Sequence, residues 1–179
     1  MDHKALFLDR DGVINIEKNY LYKSEDFEFI DGVFEALRMA SEAGFLLVVI
    51  TNQSGIGRGY YTQEDFDRLT DWMRGRLAHE GIVLSGVYFC PHAPEVGCDC
   101  RKPAPGMIVR AIKELGIDPK SSWFVGDKEI DIKAANAAGV NHTILVRSGH
   151  VIDERATKAT WVKDDLLEAV RSILNTDMV

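Results

Sequence analysis

The chain has 179 residues, 46% of them hydrophobic, and its formal net charge is −7 at pH 7. This length and apolar content suit one globular domain over residues 1–179, with enough side chains for a hydrophobic core. The acidic balance argues against nonspecific nucleic-acid binding. No apolar run approaches the roughly 20 residues that a transmembrane helix needs, and the first residues lack a secretory signal. We therefore expect a cytoplasmic protein that binds neither nucleic acid nor membranes.

Five short apolar runs predict β-strands along the chain. They occupy residues 5–8, 45–50, 87–89, 123–125 and 143–146. Each run is continuous and rich in branched and aromatic residues, which suits strands that are buried on both faces. The sequence therefore predicts a parallel sheet.

Amphipathic patterns between these runs predict five helices. The first helix is expected to be capped by Asp31 and to end near Gly44, and the second to start at Thr62. The third is expected to have Pro105 in its first turn and to end at Gly116. The fourth and fifth are expected over residues 131–138 and 164–174. Residues of these types are typical of helix caps, first turns and C-terminal stops. The strand–helix alternation predicts an α/β fold, a three-layer Rossmann-like parallel sheet flanked by helices.

Polar side chains follow the predicted strands, at the edge where open parallel sheets bind ligands. Asp9 and Asp11 follow the first strand, Thr51 follows the second, and Asp127 follows the fourth. Lys102 precedes the third helix, within reach of the same edge. Taken singly, each residue fits an ordinary turn, a helix cap or a solvated lysine. Taken together, they are typical of a phosphoryl-transfer site.

In this order the motifs resemble those of the haloacid dehalogenase superfamily, over roughly residues 5 to 147. The resemblance implies a fold of that type and a Mg²⁺-dependent phosphatase. Asp9 would be the nucleophile that forms an aspartyl-phosphate, and Asp11 would act first as acid and then as base. Mg²⁺ would be bound by Asp9, the backbone carbonyl of Asp11 and Asp127.

The same resemblance gives roles to the neighbouring polar residues. Lys102 would supply a fixed positive charge, and the Thr51 hydroxyl with the Asn52 backbone would bond to the transferring oxygens. Asp131 has alternative roles: it would orient Lys128 or a metal-bound water, or be an ordinary acid at a helix N-terminus.

Cys90, His92, Cys98 and Cys100 lie within one short segment. Three sulfurs and one imidazole make a complete tetrahedral set, so we expect a closed, structural Zn²⁺ site in this loop. A disulfide or free thiols are the alternatives, and an odd, clustered set in a reducing compartment suits them less well. Because the segment ends directly before Arg101 and Lys102, we expect zinc to brace the loop that positions this lysine. The other four histidines lack ligand spacing and are expected to be ordinary.

The intervals between the motifs leave no room for the cap domain that many superfamily members carry. A capless chain with a zinc loop resembles two groups, the heptose 1,7-bisphosphate and the histidinol-phosphate phosphatases. The zinc spacing is closer to the histidinol-phosphate group, whereas residues 9–15, 51–59 and 101–107 resemble the heptose group. We therefore expect hydrolysis of the C7 phosphate of D-glycero-D-manno-heptose 1,7-bisphosphate to the 1-phosphate, with histidinol phosphate as the alternative substrate and the anomer left open. The resemblance places this step in nucleotide-activated heptose synthesis for bacterial lipopolysaccharide or capsule.

The heptose resemblance also implies a set of substrate-binding residues. They are Glu17, Lys18, Asn19, Tyr20, Asn52, Gln53, Ser54, Arg101 and Lys128. Residues 17–20 would contact the sugar, although Glu17-Lys18-Asn19 stands where the group more usually has Asp-His-Gly. A guanidinium fork at Arg101 suits a second phosphate, whereas Arg58 is better interpreted as a solvated loop residue.

Two further hypotheses stay open from the sequence. A catalytically inactive, metal-stabilised binding module would keep the fold without turnover, and a phosphotransferase would pass the phosphoryl group to a sugar hydroxyl. The complete set of catalytic groups and the uncapped site favour hydrolysis. No coiled-coil heptad or exposed apolar stripe is evident, so we expect a monomer whose partner is a small phosphorylated sugar.

Overall fold

The computed structural model of the protein describes residues 2–176. Its strands are β1 (Ala5–Leu8), β2 (Leu46–Asn52), β3 (Gly86–Cys90), β4 (Trp123–Gly126), β5 (His142–Val146) and β6 (Trp161–Lys163). All pairings are parallel, in the order β3-β2-β1-β4-β5-β6. The five predicted strands and the parallel sheet are confirmed. The sixth strand was not predicted, because three residues are too few to form a recognisable apolar run.

The helices of the described residues connect these strands. They are α1 (Val33–Glu42), α2 (Ser54–Gly57), α3 (Gln63–His79), α4 (Gly106–Leu115), α5 (Glu129–Ala137) and α6 (Leu166–Thr176). The five predicted helices are present, but α5 begins two residues earlier than expected and α6 two residues later. The single turn of α2 was not predicted, since it is too short to show a helical period.

The helix caps correct two details of the sequence analysis. Thr62 caps α3 as predicted, within a capping box that also uses the Asp65 side chain. The cap of α1 is Gly32 rather than Asp31, because this position has φ 85°, a left-handed conformation that glycine adopts readily. Pro105 is the residue that caps α4 and does not lie in its first turn.

The sheet separates two hydrophobic cores, because alternate side chains of a strand point to opposite faces. Leu6 and Leu8 belong to the core that includes residues of α1, α3 and α6. Ala5 and Phe7 belong to the other core, with residues of α4 and α5. Helices thus cover both faces, which is the predicted three-layer α/β arrangement.

The strand order fixes where a ligand can bind. The chain starts in the middle of the sheet, builds to the β3 edge, and returns to build the other half from β4 onward. β1 and β4 are therefore neighbours at the point of reversal, where doubly wound sheets form their ligand crevice. Residues 13–32, which follow this edge, contain a 3₁₀ turn at Ser24–Asp26 and isolated bridges, so they form no cap domain. No helix in the described range has both the length and the apolar character for a bilayer crossing.

Candidate active site

Two carboxylates meet at the crevice because their strands are paired. Asp9 follows β1 and Asp127 follows β4, and the register places Leu8 opposite Val125. The Asp9 backbone N–H extends this ladder with a hydrogen bond to the Val125 carbonyl, at 3.1 Å. Asp131, in the first turn of α5, completes a buried trio whose potential ligand oxygens lie within 4.8 Å of one another. The predicted pair at the strand ends is therefore brought together by the fold, with Asp131 added.

The trio carries more negative charge than the single ammonium of Lys102 beside it can offset. Burial raises the pKa of Asp9 to about 7 against the lowering effect of Lys102, and the charge of Asp127 adds to the rise. Burial also raises the pKa of Asp131 to about 6, although Lys102 again opposes the shift. Asp127 Oδ1 is buried, and no group among residues 2–176 hydrogen-bonds to it. Hard carboxylate oxygens with an excess of negative charge fit a divalent cation such as Mg²⁺.

Lys102 lies inside the crevice rather than on its rim, with 2% of its side chain exposed. Its Nζ is 3.1 Å from Asp9 Oδ1 and 2.7 Å from Asp131 Oδ1, and it donates a hydrogen bond to the Ile50 carbonyl at 2.8 Å. Burial lowers the pKa of Lys102, but the carboxylates of Asp131 and Asp9 more than offset this and raise it above its ordinary value. The predicted fixed positive charge therefore stands beside the predicted nucleophile.

The side chain of Asn52 fixes the loop that carries this lysine. The Lys102 backbone N–H donates to Asn52 Oδ1 at 3.0 Å, and Asn52 Nδ2 donates back to the Lys102 carbonyl at 3.2 Å. Asn52 is the last residue of β2, so the pair ties the lysine loop to the edge of the sheet. The sequence predicted roles for Asn52 in bonding the transferring oxygens and in substrate binding, and this contact of its side chain with the lysine loop was not predicted.

Asp11 is held by a network that the sequence analysis largely missed. Arg10 Nη2 and Asn15 Nδ2 donate to Asp11 Oδ1 at 3.0 and 2.9 Å, and Gln53 Nε2 lies 3.3 Å from Oδ2. The Gln53 amide nitrogen also donates to Thr51 Oγ1 at 2.8 Å, so the predicted hydroxyl and the predicted acid share one partner. The position of Arg10 between two site aspartates was the available signal. These contacts orient the Asp11 carboxylate at the mouth of the crevice.

A cavity of about 200 Å³ adjoins the carboxylates. Its walls include the predicted residues Glu17, Asn19, Tyr20, Asn52, Gln53, Ser54, Arg101 and Lys128, together with Arg58. Asn19 and Tyr20 have φ of 55° and 59°, left-handed conformations that are uncommon outside glycine and that often mark functional loops. The predicted sugar-binding residues thus converge, except for Lys18, which does not line this cavity.

Arg101 and Lys18 differ in what they contact. Arg101 Nη1 is buried, and none of the described residues accepts a hydrogen bond from it. Lys18 Nζ instead forms an exposed ion pair with Glu28 Oε1 at 2.5 Å. An anionic ligand in the cavity would satisfy Arg101, whereas Lys18 already has a partner outside it.

His150, expected to be an ordinary histidine, belongs to the site. Its Nδ1 lies 2.6 Å from Asp127 Oδ2, and its backbone N–H donates to the same oxygen at 3.1 Å. The histidine comes from the loop after β5, 23 residues beyond its partner. Spacing rules could not find it, because the contact depends on how two loops meet above the sheet.

The cysteine–histidine segment forms a compact cluster. Cys100 Sγ lies 3.0 Å from Cys90 Sγ, 3.5 Å from Cys98 Sγ and 3.2 Å from His92 Nδ1. The three sulfurs are not bonded to one another. Partial burial opposes ionisation, but hydrogen bonds, led by that of the Arg101 backbone, lower the pKa of Cys98 to about 6. Four soft donors at these separations fit a tetrahedral ion such as Zn²⁺, with no position left open.

The cluster loop is tied to the catalytic edge. Gly57 in α2 donates its N–H to the Pro91 carbonyl at 2.8 Å, and Gly106 at the start of α4 donates to the Asp99 carbonyl at 3.0 Å. A Cβ on Gly106 would lie 2.4 Å from that carbonyl oxygen, so the approach requires glycine. These contacts hold the segment that leads into Lys102.

The crevice and the comparisons with known proteins define the class of this chain. A family model described as HAD-hyrolase-like matches residues 99–169. The fold is similar to that of a D,D-heptose 1,7-bisphosphate phosphatase from B. bronchiseptica, complexed with magnesium and phosphate. The TM-score is 0.86 and the identity 32%, over 97% of this chain and 99% of the other. The chain is a phosphatase of the haloacid dehalogenase superfamily, as the sequence predicted.

Curated relatives narrow the class to a family. A D-glycero-beta-D-manno-heptose-1,7-bisphosphate 7-phosphatase from Haemophilus ducreyi (strain 35000HP / ATCC 700724) is 48% identical over 178 residues, covering 95% of this chain and 98% of the relative. The protein of that name from Escherichia coli (strain K12) is 46% identical over 177 residues, covering 94% and 93%. The chain belongs to the family of D-glycero-β-D-manno-heptose-1,7-bisphosphate 7-phosphatases.

Proposed function

We propose that this chain hydrolyses the C7 phosphate of D-glycero-β-D-manno-heptose 1,7-bisphosphate, with Mg²⁺ as cofactor, and releases the 1-phosphate. The observation that carries the proposal is the contact of Asp9 with Lys102 beside two further buried carboxylates, in a chain of this family. The β-anomer, which the sequence left open, follows the name of the relatives. The reaction supplies a precursor for nucleotide-activated heptose.

The geometry supports a two-step transfer through Asp9. Its Oδ1 accepts hydrogen bonds from Lys102 Nζ at 3.1 Å and from the Arg10 backbone N–H at 2.9 Å, which fix the carboxylate plane. Asp9 attacks phosphorus, a bond forms from carboxylate oxygen to phosphorus, and the bond from phosphorus to the C7 oxygen breaks. When bound, Mg²⁺ offsets the repulsion between the anionic nucleophile and the phosphate.

Asp11 handles the protons in both steps. Its proton passes to the departing C7 oxygen, which leaves as a hydroxyl. Asp11 then takes a proton from the water that attacks the aspartyl-phosphate, and phosphate and free Asp9 are regenerated. Thr51 and Lys102 stabilise the transferring oxygens. The contacts from Arg10, Asn15 and Gln53 keep Asp11 at the mouth of the crevice, where the leaving group and the water arrive.

The cavity beside the crevice would bind the second phosphate of the substrate, the one at C1. Arg101 and Lys128 lie in its wall, and Arg101 Nη1 is buried without a hydrogen-bond partner among residues 2–176. We place the C1 phosphate against Arg101 and the sugar against Glu17, Asn19 and Tyr20. A monophosphate would leave the guanidinium unsatisfied, which disfavours its binding.

We assign Zn²⁺ to the cluster of Cys90, His92, Cys98 and Cys100, in a structural role. The closed donor set supports this assignment. A cluster of unoxidised thiols suits the reducing cytoplasm, where we place the protein as a monomeric, single-domain enzyme acting on a small phosphorylated sugar.

The decisive experiment measures phosphate release from four reactions: both anomers of the heptose bisphosphate, histidinol phosphate, and the β-anomer without Mg²⁺. We expect kcat/KM for the β-anomer to exceed that for histidinol phosphate by at least about a hundredfold, equivalent to roughly 2.7 kcal/mol. Asp9→Asn is the inactive control. A preference for histidinol phosphate, or full activity in metal-free buffer, would overturn the proposal.

A further inference from the structure

The two carboxylate oxygens of Asp127 have different surroundings. Oδ2 accepts two hydrogen bonds from His150, one from Nδ1 at 2.6 Å and one from the backbone N–H at 3.1 Å. Oδ1 is buried and receives no hydrogen bond from the described residues. His150 therefore fixes one oxygen and leaves the other for a different ligand.

Backbone atoms enclose the same fixed oxygen. A Cβ on Gly149 would lie 2.2 Å from Asp127 Oδ2, and a Cβ on Gly12 would lie 2.3 Å from it. Ser148 Oγ donates to the Gly12 carbonyl at 2.8 Å and so joins the two glycine segments around the carboxylate. We call residues 148–150 the Asp127 clamp.

The main chain of Asp127 is held from the opposite direction. Asp131 Oδ2 accepts hydrogen bonds from the backbone N–H groups of Asp127 and Lys128, both at 3.1 Å. With the backbone fixed, the remaining freedom of Asp127 is rotation of its side chain. Any rotation that carried Oδ2 away from His150 would break both of these hydrogen bonds.

We propose that His150 is a positioning residue that, through Asp127, sets the affinity of the site for its divalent cation. The inference rests on the proposed metal dependence and goes beyond it, because it assigns a role to a residue that cannot itself ligate the ion through Nδ1. Residues that orient a metal ligand commonly change metal affinity when they are replaced. The neutral Nδ1–H tautomer and the imidazolium both donate this hydrogen bond, so the role does not depend on the charge of the ring.

The test compares three replacements in the full-length, zinc-loaded protein. Isothermal titration calorimetry with Mn²⁺ alone measures cation affinity for wild type, His150→Ala, His150→Asn and His150→Gln. Asparagine places an amide nitrogen where Nδ1 stands, whereas glutamine places it one bond farther out. We expect His150→Ala and His150→Gln to bind Mn²⁺ about 10- to 100-fold more weakly, and His150→Asn to restore near wild-type affinity. Val151→Ala, at a fully exposed neighbour, is the matched control and should bind as wild type does.

The outcomes separate this inference from the proposed function. Unchanged Mn²⁺ affinity in His150→Ala, or equal loss in the Asn and Gln variants, would overturn the role of the clamp while leaving the metal site intact. Failure of the wild type to bind Mn²⁺, or wild-type affinity in Asp127→Asn, would instead refute the metal site. In support of positioning, raising the Mg²⁺ concentration should recover most of kcat in His150→Ala. If the alanine variant fails to fold, the Asn and Gln pair still decides the question.

Discussion

The two clusters of side chains that could hold a metal ion in this molecule are built in opposite ways. The cysteine–histidine cluster comes from one continuous segment, residues 90–100, and its four donor atoms lie within 4.8 Å of one another. The carboxylate cluster joins Asp9 to Asp127 and Asp131, and depends on the pairing of β1 with β4. A closed site of soft donors suits structural support, whereas oxygens beside a cavity leave room for a substrate. The comparison supports our proposal that the local cluster has a structural role and that the non-local cluster takes part in the reaction.

Lys102 connects the two clusters. It follows the cysteine segment directly in sequence, yet its ammonium lies 3.1 Å from a carboxylate that is 93 residues away. A substitution in either cluster should therefore change the position or the partners of Lys102. The consequences for catalysis and for stability should differ between the two clusters. The predictions below separate these consequences.

The largest effect should come from Asp9→Asn, which removes the nucleophile and leaves the side-chain shape almost unchanged. We expect kcat to fall by on the order of 10⁴-fold or more, because no other group forms the covalent intermediate. Phosphate release from the β-heptose bisphosphate measures the loss, and elemental analysis should find an undiminished zinc content. Activity within about tenfold of wild type would remove Asp9 from the reaction.

The carboxylate cluster should make stability depend on pH when Mg²⁺ is absent. The folded pKa values of Asp9 and Asp131 are raised to about 7 and about 6, from an ordinary value of 3.8. Between these values the folded state binds more protons than the unfolded state, so the free energy of unfolding falls as the pH rises from about 4 to about 7. We expect a loss of at least about 2 kcal/mol across this window, measured by chemical denaturation.

Two controls tie that pH dependence to the cluster. Asp9→Asn cannot ionise at this position and should lose most of the slope, while the cysteine–histidine cluster contributes as in wild type. Added Mg²⁺ should stabilise the wild type more at pH 8 than at pH 5, because the cation binds the ionised carboxylates. A stability that rises with pH in the metal-free protein would contradict the raised pKa values.

The contrast between the clusters also explains what the sequence could predict. The spacing of Cys90, His92, Cys98 and Cys100 is a local property of the sequence, so the cluster could be predicted without knowledge of the fold. Asp9, Lys102 and Asp127 were placed together because strand ends share one edge of a parallel sheet. The contacts of Arg10 with Asp11 and of His150 with Asp127 depend on loop conformations, which no periodic pattern encodes. The Gly32 cap of α1 was missed for the same reason, since its left-handed backbone lies where an irregular loop enters the helix.

A change in the cysteine–histidine cluster should lower stability strongly and activity only slightly, the reverse of what we expect for Asp9→Asn. Cys98→Ser removes one of four ligands, and we expect loss of zinc with a destabilisation on the order of 3 kcal/mol or more. We expect kcat/KM to fall by only about tenfold, because the loop holds Lys102 less firmly while every reacting group is retained. Zinc content, denaturation midpoint and phosphate release measure the three effects. Glu95→Ala, an exposed non-ligand of the same loop, is the control, and full activity in zinc-free Cys98→Ser would refute the bracing role.

The smallest effect on activity should come from Lys18→Ala. This variant tests the idea that the fold, rather than closeness in sequence, decides which residues belong to the active site. Lys18 is close to Asp11 in sequence, but its ammonium is paired with Glu28 at the surface, and such pairs contribute only about 0–1 kcal/mol. We expect kcat/KM for the heptose bisphosphate to stay within about twofold of wild type. Arg101→Ala, the matched change of a cation that does line the cavity, should lower it by about a hundredfold through KM. Equal losses in the two variants would contradict this idea and would mean that the loop at residues 17–20 re-forms around the substrate and brings Lys18 into contact with it.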